Sequence, residues 1–418
     1  MTFVLSSVLL AGVNLYALAS VIEALIGVPL PVAILVSAAF VLSYILLGGL
    51  RSAIYNEVLQ FFVILAGLIP LVVIVVKEVG GIPAMLDKLS AAKGATFSSA
   101  WEGTGFGGAN PLGDWFGIVA GLGFCVSFGY WTTNFAEVQR AMSARDDNAA
   151  RMTPILAAFP KALIPLVVVL PGMAAVLLIP NLGGEGGITY TNAIPALMDR
   201  YLPPGVLGVA VTGLVAAFMA GMAANVSSFN AVFTYDLWQD YIRPGRDDAY
   251  YLRVGRLVTA AGVAIGVGTA FIAAGFNNIM NYIQVLFSFF NVPLFTAFII
   301  GMLWRRASKS AGFWAIVVGT VVSVGTYVLY SVKVIPFRSD LQETFYGSIA
   351  AFVAGSAAAL IATSREPRKS DDELRGLVYG LELDSMDAPP KQWYRQPKPM
   401  GLAAIVLSFL LYVGLELL

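Results

Sequence analysis

One lysine stands where the sequence is otherwise apolar, and its position favours a binding role. Lys161 follows Phe159 and Pro160 and precedes a long apolar stretch, so it lies inside a predicted membrane span. A charge near the bilayer centre costs about 2.5–3.5 kcal/mol even on the lenient insertion scale. We therefore predict that Lys161 binds a solute or an ion. The alternative is that its four-carbon stem carries the amine to the membrane interface.

Two amides form a second candidate site. Asn281 and Gln284 are three residues apart, so a helix places them on one face. Asn277, Asn278 and Tyr282 lie close by in the sequence. Amides on one face of a membrane helix either join neighbouring helices or line the path of a polar solute, and the sequence leaves both readings open.

A third candidate is the stretch at residues 128–134, which combines glycine, β-branched and amide residues. Such a composition is typical of a helix that unwinds within the membrane and exposes its carbonyls to a polar solute. We predict that Gly129, Trp131 and Asn134 form this unwound segment or gate. The alternative is a belt of aromatic residues at the membrane interface.

Small residues dominate the fourth candidate, at residues 216–228. They allow two helices to pack very closely. They also leave backbone carbonyls open to a hard cation, which takes oxygen ligands. Glu23 and Glu57 lie near the ends of predicted spans, where water solvates a carboxylate. Together the four candidates favour passage of a small polar molecule over a purely structural bundle.

Membrane helices must position these residues. Of the 418 residues, 58% are hydrophobic and 12% are charged, and the 25 basic and 25 acidic residues cancel. Soluble chains carry about 25% charged residues, so the composition predicts an all-α integral membrane protein. The apolar stretches lack period-2 alternation, which excludes a porin-like barrel. Eleven spans are predicted, at residues 3–25, 32–47, 54–76, 115–136, 154–179, 206–235, 257–276, 279–304, 313–332, 345–363 and 400–418.

The composition also excludes several classes of chemistry. The sequence has no histidine, so it has no histidine-based nucleophile, zinc site or haem ligand. Its single cysteine, Cys125, forms no intrachain disulfide. The predicted spans hold neither paired acids nor a nucleophile with a base, so we predict that the protein is not an enzyme. The zero net charge argues against a nucleic-acid partner.

Basic residues orient the predicted spans. One set of loops holds 18 lysine and arginine residues and the opposite set holds 6. Cytoplasmic loops keep an excess of these residues. We therefore predict a multi-pass protein of the cell (cytoplasmic) membrane, with the start of the chain in the cytoplasm and its C-terminus outside.

A series of short motifs resembles the sodium:solute symporter family. The first runs from Gly48-Gly49-Leu50 to Glu57 and Gln60, where that family has Gly-Gly-Leu followed by Thr-Asp and a Gln. The series covers about 300 residues in the family's order and is most similar to the sodium/sugar cotransporter branch. Further matches are Tyr130-Trp131, Gln139-Arg140, Lys161 with Leu170-Pro171-Gly172, Asn230 with Phe233-Thr234-Tyr235-Asp236-Leu237, Tyr282-Ile283-Gln284, and Gly301-Met302-Leu303-Trp304.

The resemblance implies a LeuT-type transporter core of two inverted five-helix repeats with extra C-terminal helices. The family's sugar branch has fourteen spans, so the chain is expected to lack the first three helices, two of them core helices. The implied divisions are residues 1–76 for the remnant of the first repeat, 77–114 for an extracellular loop, 115–304 for the second repeat, 305–364 for two accessory helices, 365–399 for a cytoplasmic linker and 400–418 for a last transmembrane helix.

The resemblance also assigns the solute site. It makes Tyr130 the aromatic gate beneath the solute, and Lys161 and Gln284 hydrogen-bond donors to solute hydroxyls. Asn281 stands beside Gln284, where sugar carriers have Gln. Ser127 and Phe135 stand where those carriers have amides, which leaves the identity of the sugar open.

The ion site departs from the family's pattern. Ala220 and Gly221 stand where the family has two hydroxyl residues, whereas Ala217 still offers its backbone carbonyl. Glu57 replaces the family's Asp. These four residues are the expected ion-site region, with Na+ as the coupling ion and no other metal or cofactor.

We therefore expect a piece of a secondary active transporter that couples sodium to inward movement of a sugar or similar small polar solute by alternating access. The expected partners are the solute, Na+ and the lipid bilayer, with no obligate protein partner. Two alternatives stay open. One is a carrier that is not coupled to sodium, and the other is a non-transporting remnant or solute-sensing membrane module.

Overall fold

The computed structural model describes residues 2–99, 101–276, 278–381 and 392–416, with side chains omitted at 47–52 and 415–416. Asn277, the middle of the predicted linker at 382–391 and the last two residues of the final span lie outside the described residues. Those that are described form helices and loops without a strand. The α-helices are α1 Thr2–Ile26, α2 Leu30–Val79, α3 Ile82–Lys93, α4 Gly129–Thr133, α5 Phe135–Met142, α6 Asp147–Leu178, α7 Ala193–Tyr201, α8 Pro204–Ala231, α9 Asp248–Ala274, α10 Ile279–Leu286, α11 Val292–Leu303, α12 Lys309–Ser331, α13 Asp340–Ser364, α14 Asp371–Leu374 and α15 Pro397–Glu416.

Three π-helical segments continue into α-helices of the same spans. They are π1 Gly117–Phe128 before α4, π2 Val232–Ile242 after α8, and π3 Phe287–Asn291 between α10 and α11. Single π-helical turns are common at functional sites because they shift side chains around the helix axis. The hydrophobic pattern gives no sign of π1 and π3, since apolar residues run through them as through the flanking helices.

Among the described residues, each predicted span is helical over nearly all of its length. Within the described ranges, 9 helical segments are long and apolar enough to cross a membrane. Two shorter apolar segments, Leu30–Leu46 within α2 and Gly117–Thr133 of π1 and α4, account for the remaining two predicted spans. The all-α membrane architecture is therefore confirmed.

The sequence predicts a loop between the second and third spans. This prediction is wrong, because the backbone is helical without a break from Leu30 to Val79 in α2. The helix nevertheless bends. Tyr44 donates a hydrogen bond to the Met219 carbonyl at 3.0 Å, while a Cβ on Gly213 would lie 2.9 Å from Ile64 Cα. Those contacts are about 30 Å apart along α2 but about 9 Å apart along α8. Gly48 and Gly49 lie in the bent stretch, where glycine costs a helix about 1 kcal/mol and does not end it.

The chain divides into two compact units. The first unit contains Met1–Ser6, Ala100–Val138 and Met280–Ala388, and the second contains Ser7–Ser99, Gln139–Ile279 and Pro389–Leu418. In the first unit, Phe124 packs edge-on against Phe295 and Phe352, with ring centroids 5.4 Å apart in each pair. In the second, Leu15, Ile34 and Met222 are fully buried in one apolar cluster.

Asp114 fixes the start of π1 in the first unit. Its carboxylate accepts hydrogen bonds from the Gly117 amide at 3.0 Å and from the Tyr346 hydroxyl at 2.9 Å. The Gln342 amide donates a longer one, at 3.4 Å. Burial alone would raise the pKa of Asp114, but these hydrogen bonds outweigh it and hold the pKa below its usual range.

We expect Asp114→Asn to lower the free energy of unfolding by about 1.5–3 kcal/mol, the usual range for hydrogen bonds to a charged group. Because the folded pKa is depressed, the carboxylate stabilises the fold above the unfolded aspartate pKa of about 3.9 and loses this effect as the pH falls further. Thermal unfolding in detergent across that window measures both effects. The exposed Asp87→Asn variant is the control, and an equal acid response in Asp114→Asn would contradict the assignment.

Candidate solute and ion sites

Tyr130 is held between two neighbours in the first unit. Its hydroxyl donates to Glu137 Oε1 at 3.1 Å, and its ring lies 4.5 Å from that of Phe287, centroid to centroid, at a tilt of 37°. The side chain is half-buried. The aromatic ring predicted as a gate therefore sits against the first residue of π3.

Gln284 lies one turn before Phe287, and Asn281 one turn before that, so the three share a face. Gln284 Oε1 is enclosed and has no hydrogen-bond partner among the described residues. The amide nitrogen of the same side chain makes one weak contact, to Met280 Sδ at 4.0 Å. Buried polar atoms are nearly always paired, so an enclosed acceptor without a partner is suited to a ligand that donates a hydrogen bond.

The predicted unwound segment is confined to one residue. Gly129 and Trp131 lie within α4, so the prediction of an unwound backbone is wrong for both. Gly129 serves close packing instead, because a Cβ there would lie 3.0 Å from Phe295 Cγ. The helix is broken at Asn134, which is extended and links α4 to α5.

Asn134 is 1% exposed, and its Oδ1 accepts a hydrogen bond from the Ala136 amide at 2.8 Å. Its Nδ2 is enclosed and has no partner among the residues that the structure describes. Asn134 Oδ1 therefore caps the first turn of α5. Asn134 Nδ2 is a hydrogen-bond donor that no described residue accepts from.

Lys161 belongs to the second unit, in the middle of α6. It follows the first residue of the helix by 14 positions, about 21 Å along the axis. Its side chain is exposed. Pro165 has no amide hydrogen to donate to the Lys161 carbonyl four residues earlier, which loosens the helix at this residue. The sequence placed Lys161 only about seven residues into its span, because the first turns of α6 are polar.

The expected ion-site region lies on α8 in the second unit, where Ala217, Ala220 and Gly221 are half-buried. A Cβ on Gly221 would clash with the Asn14 side chain, lying 2.9 Å from its Cγ. The Gly221 carbonyl accepts a hydrogen bond from Asn225 Nδ2 at 2.9 Å. A side chain at position 221 would therefore have to displace the Asn14 amide of α1.

Glu57, the fourth member of the expected ion-site region, is paired with Arg140. The guanidinium bonds both carboxylate oxygens, with Nε 3.2 Å from Oε2 and Nη2 2.5 Å from Oε1. This two-point geometry is strong and specific. The sequence predicted solvation for Glu57, because a pair 83 positions apart gives no local pattern.

Gln139 is a further polar residue that sequence reasoning did not single out beyond its motif. It is 7% exposed, and its amide donates to Ser228 Oγ at 2.7 Å and to Ser227 Oγ at 3.3 Å. These bonds join α5 to α8 at the end of the small-residue stretch. Serines at 227 and 228 after a run of alanines were the only signal available.

The family follows from a family model, described as "Sodium:solute symporter family", that matches residues 1–319. The chain belongs to this family. Among relatives, the sodium/mannose cotransporter of Bos taurus is 28% identical over 342 residues, covering 76% of this chain and 57% of the relative. The sodium/glucose cotransporter of Vibrio parahaemolyticus is 26% identical over 339 residues, covering 77% of this chain and 61% of the relative. This chain thus spans 57% and 61% of the length of these two relatives.

The fold agrees with that of a solved symporter. The structure of a Na+-coupled sialic acid symporter in a substrate-bound outward-open state matches with a TM-score of 0.65 at 19% identity, covering 88% of this chain and 74% of that one. The LeuT-type fold is therefore confirmed.

The contact between Gly221 and Asn14 gives a test within the second unit. We expect Gly221→Ser, which returns a hydroxyl to the α8 position, to cost about 1–3 kcal/mol of stability through overpacking. Asn14→Ala removes the clashing side chain, so the double variant should recover most of that loss. Thermal unfolding of the two single variants and the double variant measures the coupling. Additive losses would show that the two residues do not compete for space.

Proposed function

We propose that this chain carries out secondary active transport, moving a small polar solute of the sugar class together with Na+ by alternating access. Family membership supports symport, and the enclosed Oε1 of Gln284 is the observation that carries the solute site. Sugars present many hydroxyl donors. Gln284 Oε1 is suited to accept a hydrogen bond from a sugar hydroxyl, and the Tyr130 ring is suited to pack against the apolar face of a sugar. We assign Tyr130 as the gate, and Gln284, Asn281 and Lys161 as solute-binding residues.

Sodium is the proposed coupling ion. Coupling requires that ion and solute favour the same conformation, so that each raises the affinity of the other by the same factor. We assign the ion to the region of Ala217 and Gly221 on α8. Asn14 Oδ1 is the oxygen that stands where the family's hydroxyl would project, and it is an oxygen ligand of the type Na+ takes.

The experiment is solute binding to the purified chain in sodium chloride and in choline chloride. Glucose, mannose and myo-inositol are the first probes, because relatives are named for them. We expect one of these to bind, with a higher affinity in sodium. Absence of binding by all three in both salts would overturn the assignment of the solute class.

A carrier without sodium coupling is the second candidate, and Ala220 and Gly221 favour it because neither has a side-chain hydroxyl. Equal solute affinity in the two salts would support this candidate. The division into repeats and the inside–outside orientation stay predictions, since the multi-pass architecture is common to both orientations.

A further inference from the structure

The second unit contains a cavity of about 350 Å³ at the end of α8 and π2. This volume lies within the range of small-molecule sites, about 300–1,000 Å³. Polar side chains from α5, α8, π2 and α9 line it together with a few apolar residues of α2 and α9. None of the lining residues that the structure describes is an aspartate or glutamate.

Arg256 supplies the charge of this cavity. Its side chain is exposed, and it makes neither an ion pair nor a hydrogen bond with the described part of the chain. A guanidinium is always charged and presents several fixed donors, which match the oxygens of phosphate and carboxylate groups. Among the described lining residues, Arg256 is therefore a cation with no carboxylate beside it.

Two neutral donors share the cavity with Arg256. Thr259 is 4% exposed, yet its hydroxyl has no hydrogen-bond partner in the described ranges. Asn230 Oδ1 accepts from the Thr234 hydroxyl at 2.8 Å, which turns its amide nitrogen away and leaves that nitrogen without a described partner. Gly255 makes room for this amide, because a Cβ there would lie 3.0 Å from Asn230 Oδ1.

The rest of the wall is held by internal bonds. The Gln139 amide donates hydrogen bonds to the Ser227 and Ser228 hydroxyls. The Ser227 hydroxyl in turn donates to the Ala224 carbonyl at 3.1 Å. Tyr251 donates to the Arg243 carbonyl at 2.7 Å and accepts from the Arg246 amide at 3.1 Å. A lining residue thus fixes the arginine-bearing segment before α9.

The Asp247 carboxylate, which precedes α9, accepts the Tyr250 amide at 3.2 Å as a helix cap. The side chains of Arg256, Thr259 and Asn230 have hydrogen-bond donors that no described residue accepts from. These donors are available to a ligand that has acceptors.

We infer that this cavity binds an oxyanion of the phosphate class, either a soluble phosphate compound or the headgroup of an anionic phospholipid. A cation is disfavoured by the unpaired guanidinium. A neutral sugar would bring no negative charge to the guanidinium. The inference is independent of the proposed transport, since it concerns a cavity that contains none of the assigned solute residues.

Calorimetric titration of the detergent-solubilised chain with potassium phosphate, against potassium chloride at matched ionic strength, tests the soluble source. Retention of phosphatidylglycerol over phosphatidylcholine from mixed micelles, counted by native mass spectrometry, tests the lipid source. Arg256→Gln should weaken binding of the active probe about tenfold or more, since a hydrogen bond to a charged group is lost. Thr259→Val should weaken it by a smaller factor with little change in shape.

Arg253→Gln is the matched control, because Arg253 is exposed on the same helix and does not line the cavity. Its affinity for the probe should stay within about twofold of the unaltered chain, as expected for screened surface charge. Binding of phosphate alone or of phosphatidylglycerol alone supports the inference and identifies the source. Binding of neither probe, or equal losses in Arg256→Gln and Arg253→Gln, would overturn it.

Discussion

Replacing Gln284 by leucine is expected to weaken solute binding about tenfold or more without destabilising the protein. The two effects separate because Gln284 Oε1 is enclosed and has no partner among the described residues. Removing an unpaired buried acceptor relieves a cost of about 1–3 kcal/mol in the solute-free state. The solute, in contrast, loses the acceptor for one hydroxyl. Measured together, solute affinity and thermal unfolding should move in opposite directions.

Gln392→Leu is the control for this prediction, because Gln392 is an exposed glutamine outside the apolar helices. Its solute affinity should match that of the unaltered chain. If Gln284→Leu lowered stability and left affinity intact, the amide would be joining helices, and its assignment to the solute site would be wrong.

Replacing Gly67 by alanine is expected to destabilise the second unit by about 1–3 kcal/mol through overpacking. A Cβ on Gly67 would clash with the Ala210 backbone of α8, lying 3.1 Å from its nitrogen. The contact is reciprocal, since Gly213 of α8 faces the Ile64 backbone of α2. Backbone atoms of two helices cannot yield as a flexible side chain does. The midpoint of thermal unfolding in detergent measures the loss.

Gly208→Ala on α8 is the matched control. Nothing lies within 4 Å of a Cβ built at Gly208. Alanine is also the better helix former by about 1 kcal/mol, so this variant should be neutral or stabilised. Similar losses for Gly67→Ala and Gly208→Ala would mean that close α2–α8 packing is not the cause.

The sequence predicted the spans because membrane helices are specified locally, by the length and polarity of each segment. The same local signal did not reveal that α2 stays helical through Gly48 and Gly49 while bending, because the bend depends on how both halves pack on α8. The three π-helical segments escaped prediction for a related reason. A π-helix differs from an α-helix in its hydrogen-bond register, and the length and polarity of a segment do not report that register.

The candidate sites were predicted unevenly. Asn281 and Gln284 share a face as their spacing requires, and Asn134 breaks a helix. The sequence predicted an unwound backbone at Gly129 because glycine is common where helices unwind. In the structure, the missing side chain of Gly129 instead lets Phe295 pack against the helix. Contacts between residues far apart in the sequence could not be predicted, because they leave no local pattern. Examples are the ion pair of Glu57 with Arg140 and the contact of Gly221 with Asn14.

The most direct test of the proposed function is uptake of the bound solute by liposomes that contain this chain. With sodium chloride outside and choline chloride inside, we expect the solute to accumulate above its external concentration. With choline chloride on both sides, accumulation should be absent. Equal uptake with and without the sodium gradient, or binding without any uptake, would contradict sodium-coupled symport.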